Sequence, residues 1–476
     1  MKARLLLLAA ALAAAVSCTP VEDTARTFKF RPDGTFKIVQ VTDTHLSQGS
    51  SAEGRAWVYG QIADVLETEK PDLLVMTGDI VTSGGTYDIW QELLKGIEGS
   101  GVPFAVVYGN HDREEQLSDV DLPQCFVNHP GCINTLSPEG YLEDMAVEIA
   151  SSASDRTAAV LYLMDSGDYS PVGTYWDYGW ITHDQIHWYV GKSRSYAASN
   201  GNVPVPSYAF FHIPLTEYHE AYETEHMAGI LGEEECPGEL NSGLLSAFEE
   251  NGDVHGVFVG HEHDNDYVAR TGGVAMVYGR CCFHKGPGRE PTNGVRVIEL
   301  RQGDYGFRTW VREAEGVAGE VTYNVPVDFS LRKAAAPEGK ENGLLRTWYS
   351  GGEGLFEIES NAVKGESEVV PTPRMSGKLG EGRYGAVQEG YLYIPETGCW
   401  SLHLSASDHG AVFLDDFMFR DTDYCRGQLK MNLEKGCHPI RIISECNGGN
   451  CWVKLMWRDQ FSARYHEIPA GYFYLK

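Results

Sequence analysis

Two aspartates, one asparagine and four histidines in this chain are of the types that hold hard or borderline divalent metals. They fall in five short motifs: Asp43-Thr44-His45, Gly78-Asp79, Gly109-Asn110-His111-Asp112, His212 alone, and Gly260-His261-Glu262-His263. Carboxylate, amide oxygen and imidazole together suit manganese, iron or zinc. Asp79 can bridge two ions with its two oxygens, and Asn110 adds a neutral ligand. Two ions about 3.5 to 4 Å apart can hold a hydroxide as nucleophile and neutralise phosphate oxygens during in-line attack. A lone Asp-x-His or Gly-Asp carries no such meaning, because turn chemistry produces both. Any one of the histidines alone also reads as a core residue or a strand cap; the five motifs in this order point to a metal cleft.

The elements that must position them come from the hydrophobic pattern. Buried strands rich in Val, Phe, Leu and Tyr are expected at residues 35–41, 72–77, 102–108, 158–164, 207–212 and 254–259, with helices at 55–70, 87–98, 182–198 and 242–251. Five of these strands are followed by a motif. In open α/β sheets ligands bind at the carboxyl ends of strands, so five distant segments can converge on one cleft.

On these motifs, residues from about 35 to 300 resemble the calcineurin-like metallophosphatase superfamily. The resemblance implies a four-layer α/β/β/α sandwich, with Asp43, His45, Asp79 and His263 on one metal and Asp79, Asn110, His212 and His261 on the other. It implies that His111, paired with Asp112, protonates the leaving oxygen or stabilises transition-state charge, and that Asn110 and His111 contact substrate. The stretches 36–41, 161–170, 178–189, 211–218 and 260–267 are similar to the purple-acid-phosphatase-like branch that lacks the purple colour. Thr82 stands where the purple enzymes carry a tyrosine for ferric iron, and Asp43-Thr44-His45 replaces their Asp-x-Gly. Both departures favour two divalent ions. Arg280, after Val277-Tyr278-Gly279, is a candidate for binding the substrate phosphate, with a structural arginine as the alternative. Tyr218, His219 and His226 are candidates for the pocket wall, or solvated loop residues; His183 and His187 read as packing or surface groups.

The chain of 476 residues exceeds what one core usually organises, and 67 Asp plus Glu against 38 Lys plus Arg gives a net charge of −29. That balance argues against binding to a nucleic-acid backbone. Lys2 and Arg4 precede an apolar run ending at Ser17-Cys18, the pattern of an export signal over residues 1–17. Ala15-Val16-Ser17-Cys18 resembles a bacterial lipobox with alanine where leucine is usual. The expectation is export to a bacterial cell envelope, periplasmic or surface-exposed, with Cys18 lipid-anchored as the one membrane attachment. An ordinary cleaved signal and an uncleaved anchor are the alternatives. The other ten cysteines are even in number in a chain expected to leave the reducing cytoplasm. Cys125 with Cys132, and Cys446 with Cys451, are close enough in sequence to close local disulfides.

Residues 28–314 form the expected phosphatase domain, and 315–340, rich in Gly, Ala, Glu and Pro, an expected linker. Short alternating runs from 341 to 476 suggest an all-β domain. Residues 406–416, with 433–440 and 453–457, resemble a PA14 β-sandwich. That resemblance implies a carbohydrate ligand, with calcium at Asp415-Asp416 where a plain turn is the alternative. The combined expectation is an exported phosphomonoesterase acting on a phosphorylated small molecule or glycan. A phosphodiesterase with the same site, and a glycan-binding surface protein with a vestigial phosphatase domain, are the rival readings.

Overall fold

The computed structural model describes residues 27–476 except 115–116, 174–176, 284–292, 315, 326–330, 336–340, 353, 379–381, 416, 422–426, 449, 460–461 and 463. The expected export signal and Cys18 lie outside the described residues. Two sheets face each other in the first domain. One has six strands in the order Gly316–Tyr323, Phe307–Glu313, Gly294–Arg301, Thr35–Val41, Leu73–Thr77 and Phe104–Val107. The other has eight, with Thr157–Leu163, Ser207–Phe210, Val254–Val259 and Val274–Tyr278 running parallel at its centre.

Strand alternation sorts each apolar run into two cores. Phe36, Ile38, Leu73, Val75, Ala105 and Val107 point between the sheets, where Leu161, Leu163, Phe210, Phe258 and Val277 meet them. Val39, Val41, Leu74, Met76 and Val106 point outward, under the helices Ala52–Glu69 and Thr86–Glu98. The second helix offers Ile89, Trp90, Leu93, Leu94 and Ile97, a stripe at helical spacing. On the far side Tyr162, Ala209, Val257 and Met276 lie under helices His183–Ser199, Tyr218–Glu225 and Leu244–Asn251. The result is the expected α/β/β/α sandwich. Each fully buried Leu or Ile contributes roughly 1.5 to 3 kcal/mol. Two helix starts have side-chain caps: Ser51 accepts from the Gly54 N–H, and Thr182 forms a reciprocal capping box with Gln185.

Thr35–Val41, Leu73–Thr77 and Phe104–Val107 are parallel, so their carboxyl ends share one rim. The parallel strands Ser207–Phe210 and Val254–Val259 likewise end together. The expected linker 315–340 is corrected: Gly316–Tyr323 is an edge strand paired antiparallel with Phe307–Glu313, in the six-stranded sheet. Beyond it, Arg332 and Ala335 donate backbone hydrogen bonds to Asn432 and Cys437, along the second domain.

That second domain is all-β. A sheet containing Leu344–Ser350, Tyr384–Ile394, Gly436–Cys446 and His409–Leu414 packs on one containing Gly398–Ala406, Asn450–Asp459 and Gly427–Leu433. Ala386, Leu392, Val412, Ile440 and Ile442 from one face meet Leu402, Leu404, Met431, Val453 and Leu455 from the other. Cys446 and Cys451 are bonded across their short loop, with Cα atoms 5.9 Å apart. Cys125 and Cys132 are both free, contrary to expectation. Cys125 is buried in the core with Trp90 and Phe126, while the Cys132 thiol turns toward Asn134 Oδ1, so the two side chains serve different neighbours.

Candidate metal centre

Three of the motifs leave their strands by sharp turns. Asp43, His45, Asp79 and His261 have φ of 53°, 44°, 52° and 81°, a left-handed region that L-residues with side chains rarely occupy. Such strain persists where surrounding contacts over-determine it. Thr42 Oγ1 donates to Asp43 Oδ2 at 2.7 Å and Thr44 Oγ1 to the Ile80 carbonyl at 2.6 Å, fixing the first turn. The glycines that open three of the motifs, Gly78, Gly109 and Gly260, make room. A Cβ on Gly109 would stand 2.3 Å from Asp79 Oδ1, and one on Gly260 2.0 Å from Thr42 Oγ1. At Gly78, φ is 87° and a Cβ would strike the His212 ring at 2.5 Å.

These turns gather the expected ligands. Asp43, His45 and His263 form one group and Asp79, His212 and His261 another, each with donor atoms within 4.8 Å of one another. Asp79 Oδ2 sits between the groups, 3.6 Å from His45 Nε2 and 3.3 Å from His212 Nε2. Its Oδ1 accepts from the His111 N–H at 2.8 Å, which leaves Oδ2 as the oxygen that faces the imidazoles of both groups. Asn110 Oδ1 lies 3.2 Å from His212 Nε2, on the second group's side.

Asp43 Oδ1 and Asp79 Oδ2 are buried and accept no hydrogen bond. Leaving such oxygens unpaired is costly. The atoms around them are imidazole nitrogens: His263 Nε2 at 3.7 Å and His45 Nε2 at 3.9 Å from Asp43 Oδ1. Two ligands bonded to one metal at about 2.0 to 2.2 Å stand a little over 3 Å apart, so these separations suit metal ligands better than hydrogen bonds. The donor set therefore fits two divalent cations. His212 Nδ1 donates to the Thr77 carbonyl at 2.8 Å, which turns Nε2 toward the cleft, where it could serve as a ligand once its proton is lost.

In the metal-free chain, burial disfavours the His212 imidazolium, but the Asp79 carboxylate outweighs it and lifts the pKa to about 10. Burial drives His45 down to about 3 and His261 well below its usual range. Burial also raises Asp43 against the pull of His212 and His263. Cation binding must then expel a proton from His212.

His111 lies beside the ligands, its ring 5.4 Å from that of His45, and it is about one third exposed. Its expected pairing with Asp112 is corrected. Asp112 turns inward and accepts from the backbone N–H groups of Gly109 at 2.7 Å, Asp79 at 2.8 Å, Ile80 at 3.0 Å and Val81 at 3.3 Å. It ties two motif loops together. The partner of His111 is Glu114, whose Oε1 lies 2.5 Å from Nδ1.

Arg280 is also corrected. It is 3% exposed and its guanidinium is held by Asp266 and by Glu313 at 2.7 Å, bracing the strand end instead of reaching substrate. Tyr218 is a core residue whose hydroxyl donates to the Val257 carbonyl. His219 pairs with Glu235, and His226 is exposed beside the Gly229 carbonyl. Asp415 Oδ2 accepts from His438 Nδ1 at 2.8 Å, while Asp416 lies outside the described residues.

Sequence reading missed several neighbours of the centre. Glu114 carried a usable signal, since it stands three residues from His111. Tyr178, the first residue of the family-like stretch 178–189, packs edge-on to His261 at 4.3 Å, and Phe283, which no motif marks, edge-on to His263 at 5.3 Å. Buried Glu262 accepts from the Cys236 N–H at 2.5 Å, clamping the loop after helix Tyr218–Glu225 to the last motif.

Comparison with known proteins yields a match to the calcineurin-like phosphoesterase model over residues 36–265. Probable inactive purple acid phosphatase 28 of Arabidopsis thaliana is 30% identical over 316 residues, which cover 59% of this chain and 79% of that protein. Among solved structures, a dimetal phosphatase from Danio rerio aligns over 61% of this chain and 99% of its own, at 14% identity and a TM-score of 0.42. The PA14 domain of the antifreeze protein MpAFP aligns over 30% of this chain and 96% of its own, at 14% identity and a TM-score of 0.23.

Proposed function

Because this chain belongs to the calcineurin-like phosphoesterase family, we propose that it hydrolyses phosphate esters with two divalent metal ions, and that its preferred substrates are monoesters. The observation that carries this reading is the pair of buried, unpaired carboxylate oxygens, Asp43 Oδ1 and Asp79 Oδ2, each facing imidazole nitrogens at 3.3 to 3.9 Å. When bound, the ions would neutralise phosphate oxygens and lower the pKa of water. Asp43, His45 and His263 would hold one ion, Asn110, His212 and His261 the other, and Asp79 both.

The protein's own chemistry then falls to His111. Glu114 fixes its Nδ1, which keeps the ring oriented for proton donation to the leaving oxygen or for stabilising charge there. The ring is on the open side of the centre, since His45, His111, His261 and His263 are partly exposed while Asp43, Asp79 and His212 are buried. A ligand set without a missing member supports an active enzyme over a vestigial domain. The relative named as probable inactive makes that distinction the one to test.

Export and lipid anchoring at Cys18 belong to the same proposal and rest on residues 1–18. For the second domain, its resemblance to PA14 sandwiches supports a carbohydrate ligand, which a glycan array would test. The enzymatic reading is tested with manganese-loaded protein. Phosphate release from p-nitrophenyl phosphate exceeding cleavage of bis(p-nitrophenyl) phosphate supports a monoesterase, the reverse a diesterase, and cleavage of neither rejects hydrolysis.

A further inference from the structure

Aromatic rings stand on both sides of the metal centre. Beside the Asp79, His212 and His261 group, Tyr178 packs edge-on to His261, and Tyr169 stacks on Tyr178 with centroids 6.0 Å apart and planes at 19°. Beside the other group, Phe283 packs edge-on to both His263 at 5.3 Å and His45 at 5.9 Å.

The tyrosine pair is built into the loop. Tyr169 and Tyr178 form an isolated antiparallel bridge, flanked by backbone hydrogen bonds from Ser170 to Asp177 and from Gly179 to Asp168. Cross-strand partners share a face, so the two rings are held together by backbone register. Gly179 and Gly238 allow this hairpin to lie close to its neighbours: a Cβ on Gly238 would stand 2.3 Å from the Gly179 carbonyl. Tyr169 is nonetheless 52% exposed, a large ring kept in water.

Charge nearby has the opposite character. Arg113, two residues beyond His111, is committed to Asp165 and to Asp119, and Arg280 to Asp266 and Glu313. Glu114, Asp168 and Asp177 belong to the same loops as His111 and the tyrosine pair. A second phosphate on the substrate would meet carboxylates there, whereas a neutral ring would meet ring faces.

We propose that Tyr169, Tyr178 and Phe283 form a ring-binding cleft that selects phosphate esters whose alcohol carries a neutral ring, aromatic or pyranose, next to the ester. This rests on the phosphoesterase reading for its placement of the phosphate on the metals. Stacking of this kind favours a ring over a chain of equal size by roughly threefold to tenfold in affinity.

The test uses non-hydrolysable ligands on the manganese-loaded full chain, with dissociation constants from calorimetry. Benzylphosphonate and a glucosylmethyl phosphonate are each compared with heptylphosphonate, a chain of the same carbon count, and the two ring ligands separate an aryl from a pyranose preference. Tighter binding of either ring ligand by threefold or more, with the ratio falling toward one in Tyr169→Ala and in Phe283→Leu, is the expected result. Equal binding of all three ligands, or variants that weaken heptylphosphonate as much as the ring ligands, overturns the cleft. Hydrolysis of the matching esters is followed on the same samples. A ring preference without any turnover would leave the cleft standing and remove the esterase reading instead.

Discussion

Replacing Asp112 separates the scaffold from the chemistry at this centre. Its carboxylate accepts four buried backbone N–H groups, from Gly109, Asp79, Ile80 and Val81, at 2.7 to 3.3 Å. Asp112→Asn keeps the shape but presents an amide NH2 to donors that Oδ1 or Oδ2 now receives. Either orientation strands about two of the four donors. At roughly 1 to 3 kcal/mol for each unsatisfied buried group, the loss is about 2 to 6 kcal/mol, against a typical total stability of about 5 to 15 kcal/mol. The turns carrying Asp79 and Asn110 loosen with it, so metal content falls too. Glu114→Gln is the contrast: both His111 and Glu114 are about one third exposed, and their pair is worth about 1 kcal/mol or less to stability. That variant keeps fold and metal but slows kcat, more for alkyl esters than for p-nitrophenyl phosphate, whose leaving group needs little protonation. Urea unfolding, metal analysis and kcat on both esters form the assay. Native stability and full metal content in Asp112→Asn, with kcat reduced as for a lost acid, would refute the scaffold role and restore the pairing with His111.

Three further outcomes are expected. Gly260→Ala puts a Cβ 2.0 Å from Thr42 Oγ1 and 2.7 Å from Asp43 Oδ2, so it displaces Asp43 and lowers bound metal by at least one ion per chain, read by elemental analysis. In the second domain, burial opposes the His438 charge, but hydrogen bonds to Asp415 and the Glu434 carbonyl raise its pKa above 6.5. A raised pKa means stability that is fully present below pH 6.5 and lost as pH rises through the folded value; in Asp415→Asn the histidine should titrate lower by NMR and that pH dependence should shrink. Reducing the Cys446–Cys451 bond, which closes a loop of separation 5, should cost about 2 kcal/mol in the second domain's unfolding and leave hydrolysis untouched.

The clustering of these carboxylates and imidazoles was legible because metal chemistry calls for particular residue types, and because each follows a buried run that a strand explains. Val254–Val259 matches its expected bounds, and the helix expected at 87–98 begins one residue earlier, at Thr86. Gly316–Tyr323 was not legible. On this edge strand only Tyr323 is fully buried, so it has no buried apolar run, and its two glycines read as linker. Arg280 and Asp112 were misassigned for a shared reason: a motif position says where a residue sits along the chain, not which way its side chain turns. Burial decided both, since a buried charge takes the nearest complete set of partners, Asp266 and Glu313 for one and four amides for the other. Glu114 became the partner of His111 because only the fold shows that Asp112 is already spent.

The central claim is that Asp79 joins two metal ions in one hydrolytic centre, and elemental analysis of the native and Asp79→Ala chains, with ester hydrolysis read on the same samples, tests it most directly. The native chain should hold two divalent ions and release phosphate, and Asp79→Ala should lose metal and hydrolysis together. A folded Asp79→Ala chain that keeps two ions and full turnover would contradict the account.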